Sequence, residues 1–263
     1  MPSMTALPSL PIHPPVRRAA AGPWTIELLP GAAYEARYVA TEAAIGFAFD
    51  GQRGVHAIAS DRVRPFHAIP NGLAFVPPGC DVFSASAQGG EYLRVIRTDG
   101  ALLVGERAYN DVIDPPAIAL AQRMRAALLR GSVADDWEAW ALALAERAGG
   151  VRGPVAPRGS MTTQRLRLLD EFIDAGLQGA LTVHAMAGML GLSEGFFIRA
   201  FKAAVGTSPH SYVIDRRVAR ARALLQEPKH GLADVALACG FASQAHMATV
   251  FKQRLGVSPS GLR

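Results

Sequence analysis

Cysteine is scarce in this chain: Cys80 and Cys239 stand far apart and form no CxxC pair. That excludes a disulfide framework and a cysteine-built zinc site, and makes a reducing cytoplasm the expected compartment. No apolar run approaches the ~20 residues of a membrane-spanning helix, so no membrane partner is expected. The proline-rich stretch Met1–Pro15 lacks the basic-then-apolar order of a secretory leader and is expected to be a loose tail. There is no nucleophile–base arrangement, no phosphate loop and no pair of carboxylates at a useful spacing. No catalytic residue and no cofactor are therefore assigned. His56 and His67 lack the tight His-x-His and following carboxylate of a metal site, so no metal is expected. A lone Cys80 reads as a small buried hydrophobe.

Charge of one sign is also unevenly supplied. The net charge is +5. Residues 1–157 carry 14 basic against 15 acidic side chains, and residues 158–263 carry 13 against 7. All three lysines (Lys202, Lys229 and Lys252) lie in the second part. A basic half joined to a neutral one points to a polyanion as the partner of the basic half.

The 263 residues suffice for two domains, and half of them are apolar. From Gly22 to Arg107 short alternating segments such as Tyr34-x-Ala36-x-Tyr38 and Ile45-x-Phe47-x-Phe49 read as strands. Asp50-Gly51, Asn71-Gly72, Pro77-Pro78-Gly79, Gly89-Gly90 and Asp99-Gly100 punctuate them as turns. That spacing predicts an antiparallel barrel or sandwich. Tyr34, Tyr38, Phe47, Phe49, Phe75 and Phe83 are candidates to line a ligand pocket. Helical spacing follows in Leu120, Met124 and Leu128, then in Trp137, Trp140, Ala141 and Leu144. The apolar stripe of Trp137, Trp140 and Leu144 suits a two-fold interface. The expected boundaries are a tail over 1–22, an effector and dimerisation domain over 23–148, a glycine- and proline-rich linker over 149–160 and a helical domain over 161–263.

The last hundred residues repeat. Val183, Met186, Ala187 and Leu190 fall at i, i+3, i+4, i+7, as do Leu232, Val235, Ala236 and Cys239. Gly191 and Gly240 then stand where a left-handed residue ends a helix. Leu192 and Phe241 plug the corner, and Ser193 and Ser243 are placed to cap a second helix and count with its candidate DNA-binding residues. That helix ends in Phe201-Lys202 and Gly206-Thr207-Ser208-Pro209 in one copy, and in Phe251-Lys252 and Gly256-Val257-Ser258-Pro259 in the other. Helix, glycine turn and capped helix make a helix-turn-helix, whose second helix can enter a major groove. Opposite the core stripe it offers Glu194, Gly195, Ile198, Arg199 and Lys202 in the first copy. The second copy offers Gln244, Ala245, His246, Thr249 and Lys252. A longer helix with Arg216, Arg217, Arg220 and Arg222 lies between the copies.

The order Gly240-Phe241, Ser243, Met247, Phe251-Lys252, Gly256, Ser258-Pro259 resembles the DNA-binding domain of the AraC/XylS family of bacterial transcriptional regulators, over about Thr162 to Arg263. Gly195 stands where members often carry a large or polar reader. The N-terminal half is similar to the cupin-like barrel and helices that many members use for effector binding and dimerisation. The resemblance implies an α+β two-domain chain: a cupin-like β-barrel plus helices, then an all-α domain with two helix-turn-helix units. It implies double-stranded DNA as partner, a small-molecule effector, a homodimer, and RNA polymerase if the protein is an activator. The alternative reading is an enzyme domain in the N-terminal barrel fused to a DNA-binding module.

Overall fold

A computed structural model describes residues 16–100, 107–131, 136–151, 160–227 and 230–262. The N-terminal part holds ten strands: β1 (Arg17–Ala21), β2 (Trp24–Leu29), β3 (Tyr34–Val39), β4 (Ala44–Ala48), β5 (Gln52–Ile58), β6 (Arg64–Ala68), β7 (Gly72–Val76), β8 (Asp81–Ser86), β9 (Tyr92–Arg97) and β10 (Tyr109–Ile113). They form a six-stranded sheet in the order β1-β2-β9-β4-β7-β10 and a four-stranded sheet in the order β3-β8-β5-β6. The strand ladders are antiparallel throughout, as the turn signals require. Asn71 adopts the left-handed conformation (φ 65°) that its turn demands.

The arrangement is two sheets; among the described residues no ladder joins them into a closed barrel. The edges of the larger sheet are taken by helices instead of by further strands. β1 is packed by α1 (Pro115–Arg130) and α2 (Trp137–Gly149), and β10, which carries a bulge between Tyr109 and Val112, meets a C-terminal helix. β1 also corrects the expected tail over 1–22: residues 17–21 are a strand paired along β2, and residues 1–15 lie outside the described residues. Most of the expected linker, 152–159, lies outside them too.

The C-terminal part is helical. It comprises α3 (Thr163–Gly176), α4 (Val183–Met189), α5 (Glu194–Val205), α6 (Pro209–Leu225), α7 (Leu232–Ala238) and α8 (Gln244–Leu255), closed by a 3-10 turn at Pro259–Leu262. Capping residues fix the starts. Thr162, Thr182 and Ser208 each accept a backbone N–H three residues on, and Pro209 opens α6, where its missing N–H costs nothing.

The two faces of the larger sheet differ. One carries Ile26, Leu28, Ile45, Phe47, Leu73, Phe75, Leu93 and Val95, all buried. It forms one core with Met124 of α1, Leu144 of α2, Val218 of α6, and Phe241, Met247 and Phe251 of the second helix pair. The β-rich and helical regions thus share a core. Trp137 and Leu144 are spent inside it, so the stripe expected at a two-fold interface packs within the chain. Trp140 is half-buried, with Trp137 at its edge and the Arg123 guanidinium over its ring. The opposite face runs Arg18, Glu27, Arg94, Gly46 and Ala74 across the strands. Its Arg94 and Tyr92 lie near Tyr38, which is 42 % exposed, and Tyr92 lies near Tyr34 of the smaller sheet as well.

Candidate nucleic-acid interface

Gly191 (φ 66°) and Gly240 (φ 79°) hold the left-handed turns that the repeat predicts. In each pair the predicted stripe is inward: Met186 and Ala187 in α4, Phe197, Phe201 and Ala204 in α5, Val235, Ala236 and Cys239 in and after α7, Met247, Val250 and Phe251 in α8. Burial pushes the Cys239 thiol up to about 11, against the pull of Arg220 and Arg217, so it stays protonated and acts as an apolar filler.

The candidate reading residues lie on the other side. Ser193, Glu194, Gly195, Ile198, Arg199 and Lys202 are exposed on or beside α5, and Ser243, Gln244, Ala245, His246, Thr249 and Lys252 are exposed on or beside α8. Arg199 lies back along its helix, with Nη1 3.6 Å from where a Cβ on Gly195 would stand. The absent side chain at Gly195 leaves room for that guanidinium near the N-terminal end of α5. Glu194 is held by His184 Nδ1 at 2.9 Å. In α8, Thr249 Oγ1 donates to the Ala245 carbonyl, and His246 Nδ1 accepts from the Ala242 N–H.

The two expected serine caps differ. Ser243 Oγ accepts from His246 N at 3.1 Å, whereas Ser193 has the extended backbone of a cap but no side-chain hydrogen bond into the helix.

The arginines of α6 are structural where they are paired. Arg216 binds Asp174, and Arg217 donates to the carbonyls of Leu177 and Gly179. Arg222 reaches across to Glu91, at the entry to β9, which Arg125 of α1 also clamps. Arg220 is exposed. Glu91 is 2 % exposed. Burial pushes its carboxyl up, but the two guanidiniums outweigh burial and hold it below the usual carboxylate range. A second cluster joins the same parts of the chain: Tyr212 donates to Asp170 Oδ1 at 2.5 Å, and His67 Nε2 lies 3.1 Å from Asp170 Oδ2. His67 thus serves the junction, and His56 stacks on Phe66 at 4.9 Å. Sequence reasoning misses Glu91, Asp170 and Asn71 because their partners are remote along the chain.

A family model described as a helix-turn-helix domain matches residues 186–263. The C-terminal region is a helix-turn-helix domain of the AraC type. The probable transcriptional regulator LumQ of Photobacterium leiognathi is 33% identical over 93 residues, 35% of this chain and 38% of that protein. The HTH-type transcriptional activator RhaS of Escherichia fergusonii is 30% identical over 102 residues, 39% of this chain and 37% of that protein. The AraC-type match therefore spans about two fifths of the length of these curated relatives. A crystal structure of a transcriptional regulator with an AraC-type DNA-binding domain from Chromobacterium violaceum is similar at 29% identity. That similarity covers 38% of this chain and 89% of that one, with a TM-score of 0.37.

Proposed function

We propose that the chain is a sequence-specific transcriptional regulator in which α4–α5 and α7–α8 act as two helix-turn-helix units, α5 and α8 reading successive major-groove segments of double-stranded DNA. The observation that carries this is exposure: all twelve candidate residues on or beside the two helices face solvent, while the core shared with the larger sheet lies behind α8 and a second core around Phe197, Phe201 and Tyr212 lies behind α5. Arg199 and Gln244 suit bidentate contacts to guanine and adenine, each discriminating by about 1–3 kcal/mol. Lys202 and Lys252, further along their helices, suit phosphate and carry no sequence information. Where the protein activates, RNA polymerase is its further partner.

The N-terminal sheets are proposed as a cupin-like sensor of a small polar organic effector. Support comes from the inter-sheet faces. Tyr34 and Ser84 stand 3.0 Å apart, Tyr92 lies over Gly46, and burial raises the Tyr92 phenol with Tyr38 and Tyr34 as neighbours. Small residues facing hydroxyls give a polar lining, unlike the packed opposite face. The proposed contact between two copies uses this domain; Leu142 is the large apolar residue that α2 leaves exposed.

Selection of binding sites from random duplexes tests the reading. Arg199→Ala is expected to relax preference at one or two base pairs of one groove segment, and Gln244→Ala in the other. Lys202→Ala is expected to weaken all sequences alike. If both reader variants change only overall affinity, the assignment of α5 and α8 as readers fails.

A further inference from the structure

Both candidate reading helices end on left-handed glycines, Gly206 (φ 75°) after α5 and Gly256 (φ 72°) after α8. Both ends rest on the N-terminal region. A Cβ at Gly206 would stand 2.6 Å from Ile118 Cδ1 and 2.9 Å from Ile113 Cγ2. One at Gly256 would run into the Arg130 guanidinium, with Ala126 Cβ at 3.5 Å. Ile113 closes β10, Ile118 lies in the opening turns of α1 and Arg130 ends it. One end of α1 therefore seats the end of α5, and the other seats the end of α8. From Ile118 to Arg130 the helix advances about 18 Å at ~1.5 Å per residue.

Four more contacts fix this seat. α1 packs along α8, and β10 against α5. Asn71 Nδ2 donates to the Val205 carbonyl at 3.1 Å, satisfying one of the last-turn acceptors of α5. Arg125 of α1 and Arg222 of α6 share the Glu91 carboxylate, which ties the seat to the helix joining the two pairs.

We infer that α1 sets the spacing between the two reading helices, with Ile118 and Arg130 as positioning residues acting through the backbone at Gly206 and Gly256. This rests on α5 and α8 being the readers. The connecting helix α6 touches both pairs, but each reading helix also has its far end held by the same outside element. Because α1 approaches from behind, it leaves the reading faces open. One added base pair turns one groove segment by about 34° relative to the other, at 10–10.5 base pairs per turn. A rigidly seated pair therefore accepts one spacer length, and a pair free to rock accepts several.

The test is binding-site selection by the full chain from a library in which the spacer between the two groove segments varies. The unaltered protein is expected to return one spacer length. Arg130→Ala, and Ile118→Ala with Arg130→Ala, are expected to bring at least one neighbouring length within about tenfold of the best, with base preference inside each segment unchanged. Ile118 is buried, so its truncation risks the fold; exposed Arg130 carries the test by itself. An Arg130→Ala protein that melts like its parent and keeps a single spacer length overturns the inference. So does a change in base preference without a change in spacing. Failure of the reader assignment is a different result: Arg199→Ala and Gln244→Ala then leave base preference untouched in the unaltered background.

Discussion

The two helix pairs of the C-terminal region share a plan and differ in how each is held. Around Gly191 there is open space where a side chain would be, Ser193 leaves its cap bond unmade, and the first pair is fixed at the far end of α5 by Asn71, Ile113 and Ile118. At Gly240 the Leu177 carbonyl and the Arg217 guanidinium occupy the place of a side chain. Ser243 makes its cap bond, and His246 stands edge-on to Phe241 at 5.6 Å. The second pair is thus fixed at its turn as well as at its end. A repeated sequence has produced one helix pair anchored twice and one anchored once. The more weakly held turn belongs to the helix that bears Arg199 in place of a side chain at Gly195.

The largest expected effect removes what both pairs share. Glu91→Gln leaves the largely covered Arg125 and Arg222 without a countercharge and is expected to cost about 3 kcal/mol. Acid should do the same in the parent. The folded chain holds this carboxyl below the 4.5 of an ordinary glutamate, so its contribution is complete above that value. It is lost as pH falls through the lower, folded value. Thermal melts across pH 3–6 check this: the variant should lose less stability on acidification than the parent, and parallel slopes would dismiss the clasp.

The next effect separates the pairs at their turns. Gly191→Ala is expected to cost about 1–2 kcal/mol, the strain of a left-handed alanine. Gly240→Ala adds a collision with backbone, worth about 1–3 kcal/mol more. Denaturant unfolding measures both, and equal losses would erase the asymmetry. The smallest effect lies at the caps. Ser243→Ala should cost about 1 kcal/mol and Ser193→Ala close to nothing. An equal loss at Ser193 would mean that its hydroxyl does cap α5 in solution.

The helix pairs were legible because their determinants are local. A 3.6-residue stripe, a glycine at the turn and a serine after it lie within a dozen positions, so Met186, Gly191, Phe197 and their counterparts could be placed from the sequence. The strands were legible as a class because Asn71-Gly72 and its kin mark turns. What escaped is non-local. Nothing near Arg222 signals a partner 131 positions away at Glu91. Nothing in Trp137 and Leu144 tells burial within the chain from burial against a second copy, since both demand the same apolar stripe. The choice of two open sheets over a barrel turned on which elements cover β1 and β10, and those elements follow later in the chain. The six candidate pocket aromatics were one list in sequence. In space they divide: Phe47, Phe49 and Phe75 lie in the core, Tyr34 and the exposed Tyr38 lie near Tyr92 of the larger sheet, and Phe83 packs under Arg37.

The core that runs unbroken from the larger sheet into α8 has a thermodynamic consequence. Amide protons of α8 can exchange with solvent by openings that disrupt that core, and such openings also expose the sheet. Any molecule that binds only the intact sheet then suppresses those openings. At a hundredfold excess over its dissociation constant it adds about 2.7 kcal/mol to their cost. Proton exchange in α8 would slow roughly a hundredfold, although the ligand touches nothing there. The sheet and α8 would share occupancy through linked unfolding, with no moving part between them.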